Sequence, residues 1–331
     1  MLFSPVKPMH VPDGFLSVTV TIVLWVISLV VIAMALRRVK SQLGDREIPI
    51  MGVLAAAIFA GQMLNFSVSG GTSGHLLGAA IATILLGPWA AVLVMTSVVS
   101  VQALLFQDGG LLAIGANILN MGVIGVFVSH AVYQSVQKII SKYERGRLLS
   151  GFFAAWSSIF IASLACALEL SLSGTSPANI ALPAMGGIHA LIGIGEGLIT
   201  VGALAFLSAT RKDLLEKSSI DKGNRGLIVG GLAIAAILAF FSPMASSHPD
   251  GLEWVAEQIG FLGLARDSVY HIMPDYVVPG ITDTNLATIA AGILGLLIVF
   301  GVAFGIGRLV KNSSLREKTG QPLAGTVPTQ D

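Results

Sequence analysis

The chain has 331 residues, of which 54% are hydrophobic and only 11% charged, with 38 glycines. Soluble domains carry about a quarter of their residues as charges, so this composition excludes one and makes the bilayer the solvent. A net charge of +1 leaves no electrostatic footprint for nucleic acid, and one cysteine, Cys166, cannot build a disulfide framework or a thiolate metal cage.

In chain order, apolar segments long enough to cross, which takes roughly 20 residues, lie at about 15–36, 50–68, 75–105, 111–134, 148–172, 184–208, 226–243 and 285–308. No small-residue cleavage site follows the first, so it reads as a spanning helix rather than a signal peptide. The second carries Gly52, Ala56 and Ala60, a small residue at every fourth position, where another helix can lie close, whether from a membrane partner or from this chain. The third is too long for one helix. Gly87-Pro88 interrupts it, and proline removes a backbone donor and disfavours helix in the residue before it, so two short helices are expected.

Positive charge collects on the cytoplasmic side of membrane proteins. Arg37, Arg38, Lys40 and Arg46 follow the first segment, Lys138, Lys142, Arg145 and Arg147 precede residue 148, and Arg211, Lys212, Lys217, Lys222 and Arg225 follow residue 208. With Arg308, Lys311, Arg316 and Lys318, these clusters all fall on one side if residues 75–105 cross twice, leaving only Lys7 and Arg266 opposite. The expected fold is an all-α polytopic membrane protein, its amino terminus outside and its carboxyl terminus inside. About seven spans make a unit over residues 9–210, followed by a charged cytoplasmic linker at 211–225. A two-span hairpin over 226–312 has an outer loop at 244–284, and a polar tail at 313–331 is expected to be disordered. The outer side then gathers residues 1–14, 69–74, 106–110, 173–183 and 244–284, and every motif of interest falls on it or near it.

The first outer segment reads Met9-His10-Val11-Pro12-Asp13-Gly14-Phe15-Leu16. Pro12 keeps Val11 extended and Asp13-Gly14 signals a turn, so the chain enters the first helix along a defined path. If translation starts at Met9, His10 stands second, and a terminal amine, the deprotonated His10 amide and the imidazole form a three-nitrogen chelate with fused five- and six-membered rings. A further imidazole completes a plane, a donor set that suits Ni(II) or Cu(II), whereas zinc prefers a tetrahedron and magnesium or calcium prefer oxygen. His75, closing Ser69-Gly70-Gly71-Thr72-Ser73-Gly74-His75, is the candidate fourth ligand. His189 can orient a ligand or hold two helices together. Asp108, in Gln107-Asp108-Gly109-Gly110, and Asn117 and Asn120 beyond it can line or lock an outer site or serve as polar interhelical contacts. Glu169 and Glu196 lie within spans, where a carboxylate either pairs with a neighbouring helix or marks a metal path.

At these residues the sequence resembles the CbiM/NikM family, the substrate-binding components of energy-coupling factor transporters for cobalt and nickel. The resemblance covers roughly residues 9–210. It is carried by Met9 to Leu16, Ser73-Gly74-His75, Gln107 to Ala113 with Gly115-Ala116-Asn117, and His189 to Glu196. His248-Pro249-Asp250-Gly251-Leu252-Glu253 resembles the motif of the small PDGLE-type subunit that accompanies the family, here fused as the carboxyl-terminal hairpin. The resemblance implies Ni2+ or Co2+ as transported substrate and no cofactor, a plasma-membrane location, and metal ligation at Met9, His10 and His75. It also implies a transmembrane coupling protein and cytoplasmic ATPases as partners. The eight residues before Met9 depart from the family pattern, because they replace its free amine by a peptide nitrogen.

No Gly-x-x-x-x-Gly-Lys-Ser/Thr run is present, so the chain has no phosphate cradle of that kind, and it reads as a transport subunit rather than an enzyme. Two other readings stand beside it. A self-sufficient divalent metal permease would use Glu169 and Glu196. A rhomboid-like intramembrane serine protease would use Ser73, in Gly71-Thr72-Ser73-Gly74, with His189 as base.

Overall fold

A computed structural model of the chain describes residues 10–40, 43–143, 145–216 and 224–319. Met9, the middle of the 211–225 linker and the end of the polar tail lie outside the described residues.

The apolar segments form helices α1 (Val18–Val39), α2 (Glu47–Gln62), α3 (Ala79–Leu86) and α4 (Pro88–Phe106), with strands β1 (Phe66–Val68) and β2 (Thr72–Gly74) between α2 and α3. They continue as α5 (Ile114–Asn117), a π-helical stretch Ile118–Ile124, α6 (Gly125–Ile140), α7 (Gly146–Leu172), α8 (Ala178–Thr210) and the short α9 (Lys212–Glu216). The carboxyl-terminal part adds α10 (Asn224–Phe241), α11 (Gly251–Ile259) and α12 (Thr284–Thr319). Among the described residues seven helical rods are long and apolar enough to cross a membrane, namely α1, α4, α5 through α6, α7, α8, α10 and α12. The protein is a multi-pass membrane protein. Its outward side chains, such as Val18, Ile22, Leu198 and Leu309, are exposed and apolar, as a lipid solvent requires.

Three segments differ from the sequence reading. The span expected at 50–68 ends at Gln62, and the β1–β2 hairpin follows, turning through Ser69-Gly70-Gly71 with both glycines at positive φ (+93° and +81°). The break at Gly87-Pro88 is real, with Pro88 opening α4 and Gly87 at φ +83°. The helix before it, however, has only eight residues and rises about 12 Å, less than half of a hydrocarbon core. Its start is delayed because Leu77 N–H and Gly78 N–H donate to the Glu196 carboxylate instead of to helical carbonyls. Finally, α12 runs to Thr319, into the stretch read as an unstructured tail.

Contacts between distant segments sort the two ends of the bundle. At one end Arg46 pairs with Asp213, Lys311 with Asp45, and Arg38 lies 5.8 Å from the Trp89 ring. That end therefore joins the basic ends of α1, α8 and α12 to the α3–α4 break, as the charge pattern requires. At the other end Gly110 N–H donates to Val11 C=O at 2.9 Å, Ser73 N–H to Pro249 C=O at 2.8 Å, and Arg266 N–H to Asp13 C=O at 2.8 Å. The segments expected on one outer face do meet there, and α3, being short, leaves its amino-terminal end inside the bundle rather than on the rim.

The small-residue face of α2 is occupied by this chain. A Cβ at Gly52 would meet Phe300 of α12 at 2.9 Å, and one at Gly231 of α10 would meet Val53. The carboxyl-terminal hairpin thus lies against α2 at the close separation that small residues permit, and the face is not free for another protein.

Candidate metal centre

The amino-terminal segment is threaded into the bundle by backbone and side-chain hydrogen bonds. Asn117 brackets the Val11 peptide unit, its Oδ1 accepting from Val11 N–H at 3.0 Å and its Nδ2 donating to Val11 C=O at 3.1 Å. Asp13 accepts from Leu111, Leu112 and Ala113 N–H at 2.9–3.1 Å, capping the turn that leads into α5. Gly110 is required for this approach, since a Cβ there would collide with Asp13. The π-helical stretch begins directly after Asn117. This lengthened turn interrupts the regular ladder at the place where Asn117 and Asn120 face the site, a common position for π-bulges.

This threading carries His10 to 6% exposure, beside a ring 65 positions away in sequence. The His10 and His75 centroids are 5.8 Å apart at 89°. With metal–nitrogen bonds near 2 Å, two imidazoles sharing one ion have centroids no more than about 6.4 Å apart, so the pair is within bridging range. His75 Nδ1 lies 3.1 Å from Leu76 C=O, which turns its Nε2 toward ligation. His10 Nδ1 lies 3.1 Å from Asp108 Oδ1, and His10 Nε2 is buried with no hydrogen-bond partner. Burial by itself would lower the His10 pKa, but the Asp108 charge and hydrogen bonds outweigh it and hold the imidazole above its ordinary value.

Both rings line a cavity of about 80 Å³ with His189, Asp250, Cys166 and Met185. That space holds an ion with several waters, a single water needing about 10–15 Å³ on this measure. His189 Nδ1 bonds to Met185 C=O on its own helix at 2.8 Å, so His189 borders the site with one nitrogen tied to the backbone. Among the described residues no three His, Cys, Asp or Glu side chains are grouped as a metal cage.

The two buried glutamates have structural duties. Glu169 accepts from Asn120 Nδ2 at 2.7 Å. Glu196 accepts from Leu77 and Gly78 N–H at 2.7 and 3.1 Å, fixing the two residues after His75. Each carboxylate is thus engaged within the fold. The protease reading is corrected. Ser73 Oγ is turned to the carbonyls of His248 and Pro249, at 3.0 and 3.3 Å, and away from His189, so no nucleophile–base pair forms.

Sequence reasoning left Asp250 without a role and did not single out Tyr276. Asp250 is buried at the site, caps α11 by accepting from Glu253 N–H at 2.6 Å, and is pushed up to about 7 by burial. The Asp-x-x-Glu spacing was a legible helix-start signal. No local signal marks Tyr276, whose hydroxyl donates to Asp108 Oδ2 at 2.5 Å. Residues 250–252 line one side of the cavity, and a Cβ at Gly251 would meet the His189 ring at 2.8 Å.

Comparison with known proteins agrees with this arrangement of parts. Residues 10–214 match the family described as CbiM, the cobalt uptake substrate-specific transmembrane region. The chain belongs to the CbiM family. Residues 225–312 match the PDGLE domain, so this CbiM chain is fused to a PDGLE-type part. It is 35% identical, over 92% of its length and all of the relative, to an Archaeoglobus fulgidus chain designated as a fused nickel transport protein NikMN. It is 28% identical to the fused nickel transport protein NikMN of Rhodobacter capsulatus, over 90% of this chain and 97% of that one. A crystal structure of a transition metal transporter superposes with a TM-score of 0.56 at 32% identity, covering 65% of this chain and 100% of the other.

For a CbiM chain held in this way, Asn117→Ala is expected to weaken metal binding about tenfold. It unpairs a buried backbone donor and loosens the segment carrying His10, a loss of roughly 1–3 kcal/mol. Isothermal titration with nickel checks this, and unchanged affinity refutes it.

Proposed function

We propose that this chain captures Ni2+, or Co2+, at the outer face of the plasma membrane and imports it as the substrate-specific component of an energy-coupling factor transporter. The observation that carries the reading is the meeting of His10 and His75 in one cavity, 5.8 Å apart. Two imidazoles supply two nitrogens. The Met9 amine and the His10 amide supply the other two of a square plane, which favours nickel. In that chelate His10 binds through Nδ1, so loading displaces Asp108 from that nitrogen. The carboxyl-terminal loop closes the cavity over the ion.

Orientation follows from the basic clusters, of which Arg38, Arg46 and Lys311 lie at the end opposite the site. Energy comes from a transmembrane coupling protein and cytoplasmic ATPases, and uptake by this chain in cells lacking them should fail. A spectroscopic Ni(II) titration of chains beginning at Met9 and at Met1 tests the chelate. A square-planar band confined to the Met9 form supports the amine as a ligand, whereas equal binding by both forms rules it out.

The pH dependence has a definite sign. Binding displaces protons from the His10 amide and from an imidazole that Asp108 holds above its ordinary pKa, so acid competes with metal. Nickel affinity is expected to fall by more than about tenfold per pH unit below neutrality, since more than one proton is released. A flat profile between mildly acidic and neutral pH contradicts the ligand set.

A further inference from the structure

Between α8 and α10 the bundle leaves a groove of about 610 Å³, its lining completed by α2, α3 and α9. Three glycines border it, Gly202 on α8 and Gly226 and Gly230 on α10, and a Cβ at any of them would meet nothing within 4 Å. Small residues let membrane helices close up, yet here the two walls stay apart. Phe206 and Ile234, on opposite rims, are exposed, so the groove opens onto the lipid-facing surface.

Water is a poor filling, because each molecule needs two or more polar partners. Among the described residues only Thr210 and Arg211 of the lining are polar, both at one end, and Thr210 Oγ1 already donates to Phe206 C=O at 2.8 Å. Nor do close-packed proteins leave apolar voids of this size. The volume falls in the range of ligand sites, roughly 300–1,000 Å³. Length selects the occupant. Along α10 the groove runs from Gly226 to Leu238, a rise of about 18 Å, and Ile58 and Leu76 lie at its far end. Half of a hydrocarbon core is about 15 Å deep, whereas a spanning helix needs about 30 Å. The groove is one leaflet deep, which suits a lipid acyl chain better than a helix of another protein.

The near end is basic. Arg211 lines it, Lys212 follows Arg211 in sequence and Arg225 precedes the lining Gly226, both of these being exposed. Asp213 is shared between Arg46 and Arg211, so one carboxylate serves two guanidinium groups. It accepts from Nε and Nη2 of Arg211 at 2.9 Å each, and Nη1 makes no hydrogen bond with the described residues. Basic pockets between membrane helices suit anionic headgroups, which accept from such donors.

We propose that this groove binds an anionic membrane phospholipid, one acyl chain lying along Gly202, Gly226 and Gly230 and the phosphate meeting Arg211, Lys212 and Arg225. The lipid bridges α8 of the CbiM unit and α10 of the PDGLE-type part.

Native mass spectrometry of the full chain, delipidated in detergent and supplied with phosphatidylglycerol or with phosphatidylcholine of the same acyl chains, tests this. One phosphatidylglycerol is expected to stay bound, preferred at least about fivefold, the worth of one basic residue beside an anionic surface. Gly202→Leu with Gly230→Leu fills the groove and should abolish retention. Leucine is the better helix former, so the unfolding midpoint of the delipidated variant should not fall. Arg211→Gln should lower the preference about fivefold and keep some lipid bound. Equal retention of the two lipids overturns the proposal, as does undiminished retention in the leucine variant. If that variant fails to fold, an unchanged preference in Arg211→Gln overturns it alone. If no lipid stays bound and the leucine variant instead loses a co-purified membrane protein or a second copy of the chain, the occupant is a protein helix and the proposal falls.

Discussion

Replacing His75 by alanine is expected to reduce nickel affinity by at least about a hundredfold, more than the loss of an outer hydrogen-bond partner usually costs. His75 follows β2, half-buried between the hairpin and α3, with Nδ1 on the Leu76 carbonyl. The chain offers few substitutes within reach. His189 has one nitrogen bonded to Met185 C=O, and among the described residues no cage of three or more His, Cys, Asp or Glu side chains is present. Three nitrogens from Met9 and His10 would then hold the ion alone, with one corner open to water. Equilibrium competition against a chelator of known affinity measures the change. Parental affinity in His75→Ala would remove His75 from the site, whatever its distance from His10.

The second large effect is expected at Glu196, which does not line the cavity. Its two oxygens accept from Leu77 and Gly78 N–H, and its side chain is fully buried. Alanine there leaves two buried donors without partners, each worth roughly 1–3 kcal/mol. The cheapest relief is for the Leu77–Gly78 turn to shift, and His75 moves with it. Nickel binding should therefore be lost in Glu196→Ala, with a lowered unfolding midpoint. In Glu196→Gln, which retains one acceptor oxygen, the loss should be partial. An alanine variant that binds nickel like the parent would show that the carboxylate does not hold the His75 turn.

Periodicity and charge were enough to read the class of the molecule. A chain this apolar has no other solvent than lipid, and its basic clusters sort its ends because charge is costly to move across a bilayer. The motif residues His10, His75, Asp108 and Asn117 were also legible, since polar residues and glycines in an apolar background mark positions where the backbone must bend or bind.

What the linear pattern could not contain is partnership between segments. The start of α3 depends on a carboxylate about 120 residues away, so the break after His75 has no local cause. The duty of Glu196 in holding the Leu77–Gly78 turn is decided by which backbone donors surround it. Tyr276 reaches Asp108 only because α10 and α12 settle against the small-residue face of α2 and return the loop between them over the site. The sequence by itself determined that this is a helical membrane protein with candidate ligand histidines in its connecting segments, because hydropathy and charge act residue by residue. Only the tertiary structure decided which histidines meet and what holds them, because hydrogen bonds in a low-dielectric interior must be satisfied by whatever residue the fold brings near.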